Sequence, residues 1–357
     1  MNKPFLRSAA VILGGAALTY SLFNVFSFNV HHTSVFAAEG SISYDLNKLP
    51  VYSSRTPESI EEMYVKCTND STYYDGDPES YYDIEASVSP PYSQGLISND
   101  TACAMQGMTD FYRYLSGVHT LSSESTPQPY LQYQAFDRNF YFEHKIPADG
   151  RPAGMDKTFW EQGVECRHNV LAGGCTPRGS VTAFVNEGFD LVSGEWTTLG
   201  HRYALISPEV SQVQFGYCGD IAVGHITERL NCSSYSGYYA FPSPGYVPSE
   251  VVDPLRCEWT VDIENDELSL KSISDLEVTV TNLDDGGEYT CTMKNCMIDP
   301  EFTNGKRVGF VQPFDYSIID GKEQYDDDYR VCITGFKDKS TNAPVSIEYT
   351  VSFFNMK

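Results

Sequence analysis

Leu199-Gly200-His201-Arg202-Tyr203-Ala204-Leu205-Ile206-Ser207-Pro208 stands where the chain changes character. Upstream of it, apolar residues recur at helical spacing. Met105, Met108, Phe111, Tyr112 and Leu115 make one helix face, with Asn99 or Asp100 as N-cap and Gly117 at the end. Further helices are expected from Tyr130 to about Phe142, from Arg178 to Phe189, and briefly around Lys157 to Gln162. From Gly200 onward the signal is strand: Tyr203, Leu205 and Ile206, then Val213, Phe215 and Tyr217, then Ile221 to Thr227. Helices followed by strands predict an α+β domain.

Further out, Phe241-Pro242-Ser243-Pro244-Gly245-Tyr246-Val247-Pro248 reads as a rigid extended connector, because its three prolines exclude regular helix or central strand. Beyond it, Trp259, Val261 and Ile263, then Leu276, Val278 and Val280, alternate with period two. So do Val331 and Ile333, and Val345, Ile347, Tyr349 and Val351. Turns such as Asp284-Asp285-Gly286-Gly287 separate these runs, and residues 255–357 are read as a β-sandwich. Residues 39–95 are polar and rich in turn formers; apart from a helix at Ile60 to Lys66 they read as an extended leader. Residues 1–38 hold Lys3, Arg7, an apolar stretch and Val35-Phe36-Ala37. They are read as a signal peptide cleaved near Ala37 or Ala38, or alternatively as an anchor. No other segment is apolar enough to span a membrane.

The 357 residues carry 48 Asp and Glu against 24 Lys and Arg, a net charge of −24. That balance argues against nucleic acid or an anionic lipid surface as partner. The 10 cysteines lie beyond the cleavage site and form no CxxC pair, which reads as a disulfide framework in an oxidising compartment. Near-neighbour pairing would join Cys67 to Cys103, Cys166 to Cys175, Cys218 to Cys232, Cys291 to Cys296 and Cys257 to Cys332. Asn69, Asn99 and Asn231 head glycosylation sequons.

Several segments, in order, carry a family resemblance. Gly107 to Gly117 looks like a first helix, Phe142-Glu143-His144 like a histidine-bearing segment, and Phe184-Val185-Asn186-Glu187 like a W-x-x-E helix with Phe184 for Trp. Gly200-His201-Arg202 is similar to a GHR segment, and the connector followed by Trp259 to a "WPSPGYxP…W" segment. Together they resemble bacterial members of the CAP superfamily of cysteine-rich secretory and pathogenesis-related proteins, over residues 96–248. The resemblance implies an α/β/α three-layer sandwich, here followed by an all-β sandwich-like domain. It also implies a cleft with two histidines and two glutamates. The family's Gly-Glu-Asn segment reads Arg167-His168-Asn169 here, so His168 stands for one glutamate, with Glu165 nearby.

The expected cleft is therefore His144, His168, Glu187 and His201, with His144, His201 and Glu187 as ligands for zinc or another divalent cation. His119 and His225 read as ordinary loop and strand residues. No GxSxG, HExxH or phosphate-cradling loop occurs, and a triad drawn through Ser180 or Ser207 with His201 is unspecific in so serine-rich a chain. The expectation is a secreted, noncatalytic protein binding metal or a small apolar ligand such as a lipid or sterol. A metal-dependent hydrolase with Glu187 as base is one alternative. The other is a cell-surface interaction protein acting through the C-terminal domain, where Asp284-Asp285 and Asp326-Asp327-Asp328 offer calcium oxygens.

Overall fold

The computed structural model describes residues 34–37, 41–69, 81–122, 124–147, 149–166, 169–186, 200–229, 237–252, 258–263, 267–284, 286, 288–291, 296–299, 307–310 and 327–357. The signal or anchor segment, apart from residues 34–37, lies outside them. Mixed α+β structure is what the chain adopts. In chain order the first elements are strands β1 (Ser34–Ala37) and β2 (Ser41–Asp45), helices α1 (Pro50–Ser53) and α2 (Pro57–Thr68), and strands β3 (Tyr82–Ile84) and β4 (Leu96–Ile97). Helices α3 (Asn99–Leu115), α4 (Pro129–Arg138) and α5 (Lys157–Glu161) lead to β5 (Asn169–Gly173). Helices α6 (Pro177–Val185) and α7 (Gly200–Ile206) precede β6 (Val210–Cys218) and β7 (Ile221–Arg229).

Strands β5, β7 and β6 form an antiparallel three-stranded sheet in that order. Both of its faces are buried, which the alternation of side chains makes possible. Val170, Ala172, Phe215 and Ala222 join the core shared with α3 and α6. Leu171, Cys218 and Val223 face the other way, onto Leu131, Ala135 and Phe136 of α4. Helix α3 buries the face read from its sequence, Met105, Met108, Phe111, Tyr112 and Leu115. Its N-cap is Ser98, whose hydroxyl accepts from the Thr101 amide at 3.1 Å, one residue before the expected cap. Gly117 ends it with φ +76°, the left-handed turn that glycine tolerates.

The C-terminal part packs two sheets face to face. Strands β8 (Tyr238–Phe241), β9 (Gly245–Pro248), β10 (Trp259–Ile263), β11 (Leu268–Ser269), β12 (Glu277–Asn282) and β13 (Glu288–Cys291) are followed by β14 (Cys296–Asp299), β15 (Arg307–Phe310), β16 (Asp328–Asp338) and β17 (Pro344–Phe354). One sheet runs β1-β2-β17-β16-β12-β13, with β11 against β16 and β9 against β17; the other runs β14-β15-β10-β8. Trp259 of β10 meets Tyr329 of β16 and Phe353 of β17, with ring centroids 5.8 and 6.1 Å apart, so the sheets share one core.

Four sequence readings differ from this structure. Tyr203, Leu205 and Ile206 lie in helix α7, not a strand. Residues His201 to Ile206 are all buried, so no polar face marks the helix, and β-favouring side chains gave the opposite impression. Helix α4 stops at Arg138, because the Asn139 side-chain amide donates to Ala135 O at 2.9 Å and Cys218 O at 3.0 Å. Residues 41–68 are no extended leader. Strand β2 pairs in parallel with Val345–Glu348, and α2 lies on α3. The proline-rich connector starts at the last residue of β8, which pairs with β10, and supplies β9, which pairs in parallel with Val351–Phe354 of β17.

Two expected disulfides are not made, for Cys67, Cys103 and Cys166 carry free thiols, as does Cys218. The carbonyl of Cys67 sits against Gly107, one turn of α3 beyond Cys103, which is exposed and contacted by Asn99. Cys166 and Cys175 lie at opposite ends of the five-residue strand β5, about 16 Å of chain that a bridge cannot span. Cys232 and Cys257 lie outside the described residues.

The α2–α3 crossing depends on Gly107, since a Cβ there would stand 2.0 Å from Cys67 O. Gly107→Ala is expected to cost about 1–3 kcal/mol by overpacking, despite the better helix propensity of alanine. Urea denaturation checks it; an unchanged or raised midpoint would contradict so close a crossing.

Candidate functional site

His144 lies in the loop after α4, and His201 in the first turn of α7. Each is placed by a buried arginine that binds main-chain carbonyls. Arg138, at the end of α4, donates to Glu143 O at 3.1 Å, His144 O at 2.9 Å and Val164 O at 3.0 Å, and also to Gly163 O. An isolated bridge between Lys145 and Glu165 holds the same loop beside the strand that begins at Asn169. Arg202, next to His201, donates to Val185 O at 2.6 Å, Glu258 O at 2.7 Å and Thr260 Oγ1 at 3.2 Å. Its guanidinium carbon lies 4.4 Å from the centre of the Phe241 ring. It thereby caps the C-terminal end of α6 and ties α7 to the sandwich. Arg113 of α3 fixes the other end of α7, through Leu205 O at 2.7 Å, Ser207 O at 3.0 Å and Val210 O at 2.7 Å.

These anchors bring the two imidazoles together, with ring centroids 6.3 Å apart and planes inclined by 38°. Phe184 closes one side, its ring 5.8 Å from that of His201. The Nδ1 atom of His144 lies 3.2 Å from Cys166 O. A carbonyl only accepts, so Nδ1 carries the proton and Nε2 the lone pair. Nε2 is buried with no hydrogen-bond partner. Burial holds the His144 pKa below the ordinary imidazole value, against the Cys166 carbonyl; His201 and Arg138 add to the lowering. The ring is therefore neutral at neutral pH. His168 and Glu187 lie outside the described residues, and among the described residues no group of three or more His, Cys, Asp or Glu gathers to hold a metal.

A second histidine network adjoins the site and was not expected. Gln134 of α4 donates from Nε2 to Glu165 O at 2.6 Å, which turns its Oε1 toward Asn169 Nδ2 at 2.5 Å. The Asn169 Oδ1 then faces His225 Nδ1 at 2.5 Å. The terminal carbonyl orders the whole chain, so His225 is protonated on Nδ1. Cys166 O accepts from the Asn169 amide at 3.3 Å as well as facing His144, so Cys166 and Asn169 between them position both rings. Only the polar pair Gln134 and Asn169 within apolar runs could have signalled it. Ser180 and Ser207, the serines considered for a triad, bond to nearby backbone: Ser180 Oγ donates to Thr176 O at 2.9 Å, and Ser207 Oγ accepts from the Glu209 amide at 3.4 Å. His119 is partly shielded, and burial lowers its pKa. Asn282 Nδ2 donates to Asp327 at 2.8 Å and Asp284 accepts from the Asp328 amide at 2.7 Å, so the two acidic turns of the sandwich lock to each other.

Beside Arg138 stands Asp137, fully buried, with neither carboxylate oxygen hydrogen-bonded. Burial pushes its pKa up to about 8, although Arg138 opposes the shift. The thiols of Cys166 and Cys218 are likewise raised by burial, to about 11 and about 12, and are protonated. No helix among the described residues is long and apolar enough to cross a membrane. Compared with protein-family models, curated proteins and solved structures, the chain matches none.

Because Asp137 holds its proton more tightly folded than unfolded, its contribution is fully present below about pH 4 and is lost as pH rises towards about 8. Asp137→Asn is expected to flatten this part of the stability profile and to raise the melting temperature at pH 8 by a few degrees. Thermal melts from pH 4 to pH 9 measure it. An identical slope in the variant would contradict a neutral buried acid.

Proposed function

We propose that this chain is a CAP-type exported binding protein whose hollow between His144 and His201 takes a divalent metal ion, zinc foremost. The observation that carries the reading is the buried, unpartnered Nε2 of His144 beside a second imidazole. Metal-ligating histidines characteristically give their other N–H to a carbonyl, as His144 does to Cys166 O. Two imidazoles on one tetrahedral zinc, with Zn–N of about 2.0–2.1 Å, have centroids about 5 Å apart. The observed 6.3 Å needs closure by about 1 Å.

His144 and His201 would be two ligands; Glu187 and His168, the other residues implied by the family resemblance, would complete the set. Bound there, the ion supplies a positive charge that fixes an oxygen-bearing ligand. The unpartnered ring nitrogen of His144 favours a metal over an apolar ligand. Helices on both faces of the three-stranded sheet support the CAP-like α/β/α layering, as does the order of the quoted segments. Export rests on the apolar N-terminal stretch. The hydroxyls of Ser180 and Ser207, turned to local backbone, favour binding over acyl transfer.

Zinc titration calorimetry on wild type, His144→Ala and His201→Ala tests the site. Each variant is expected to weaken binding by tenfold or more, about 1.4 kcal/mol. Since the His144 pKa is depressed, protons compete weakly at that ring, and binding should persist to about pH 6. Equal affinity in His201→Ala would remove the metal from this hollow.

A further inference from the structure

We propose that the C-terminal sandwich carries a second site, independent of the histidines, for an acidic sugar: a ring bearing one carboxylate and several hydroxyls. A cavity of about 460 Å³ opens on the outside of strands β16 and β17. That size accommodates one or two sugar rings. It exists because β16 is bulged between Ile333 and Phe336, where the pairing with β17 slips. Gly335, at φ +104°, forms the bulge, and a Cβ there would lie 2.1 Å from Asp275 O. Bulges of this kind bend a strand and re-aim its side chains.

Two lysines, Lys271 and Lys337, line the cavity. Neither forms an ion pair with a carboxylate among the described residues, whereas Lys48, Lys157, Arg229 and Arg330 do. Two unpaired ammonium groups on one cavity are a receptor for a single carboxylate. The rest of the lining reads as a receptor for hydroxyls: Asp275 accepts, and Thr334 and Ser346 both donate and accept. Pro344, exposed at the start of β17, contributes an apolar floor against which the C–H face of a ring can lie. A bare phosphate would be repelled by Asp275 and would leave the floor uncovered. A neutral sugar would leave both lysines without a counter-charge.

Saturation-transfer NMR and calorimetry on the full chain test this, with glucuronate, glucose and inorganic phosphate as probes at low salt. EDTA is included so that no metal at the histidines can hold the uronate; failure here and failure of the metal site are then separate results. Glucuronate is expected to bind with Kd of about 1–10 mM, weakening with salt, and glucose at least about tenfold more weakly. Lys337→Ala and Lys271→Ala should each lose tenfold for glucuronate while zinc affinity without EDTA stays unchanged. The site is overturned if glucuronate does not bind, if glucose or phosphate binds as well as glucuronate, or if the double lysine variant binds undiminished. Should a lysine variant fail to fold, the comparison of three probes on the wild type still decides.

Discussion

Buried guanidinium groups bound to backbone carbonyls are the constraint on which the rest of this molecule turns. Arg113, Arg138 and Arg202 are almost wholly out of solvent, and most of their bonds go to main-chain oxygens of loops and helix ends. A charge taken out of water is costly unless its donors are filled, and a carbonyl at a helix terminus needs a partner. Each arginine settles both demands at once. Arginine suits this task because its fork offers five donors in a fixed plane, which a lysine does not. The consequence is local rigidity at segments that would otherwise be free loops: residues 143–146 around His144, and both ends of the helix that carries His201.

The same device joins the two halves of the chain. Arg202 reaches Glu258 and Thr260 at the start of the sandwich, and Tyr112 of α3 donates to Val251 O at 2.5 Å. Strand β2 adds a third link from the opposite direction by pairing with β17. One hydrophobic core accordingly runs from α3 through Phe241 and Trp259 to Tyr349. Ligand capture at the histidines and at the sandwich cavity would take place on a single packed body.

What the sequence disclosed follows from how local its signals are. The face of α3 and the alternation of β16 and β17 are periodic, so their buried residues were readable in advance. Helix α7 was not, because a seven-residue helix buried on nearly every side has no period to detect. Nor was β2, whose partner lies some three hundred positions away and leaves no trace in a polar, turn-rich stretch. At the site, His144 and His201 were named through the family resemblance, and the structure sets them side by side. The arginines that hold them, the buried Asp137 and the Gln134–Asn169–His225 chain were passed over as ordinary polar residues, since hydropathy assigns such side chains to the surface.

The central claim is that these carbonyl-bound arginines hold two imidazoles within about 1 Å of the spacing one ion bridges. Anomalous diffraction at the zinc edge, from crystals soaked in zinc, tests it most directly. The account predicts one strong peak about 2.1 Å from His144 Nε2 and at the same distance from a nitrogen of His201. A peak touching one ring alone, or strong peaks only elsewhere on the protein, would contradict it.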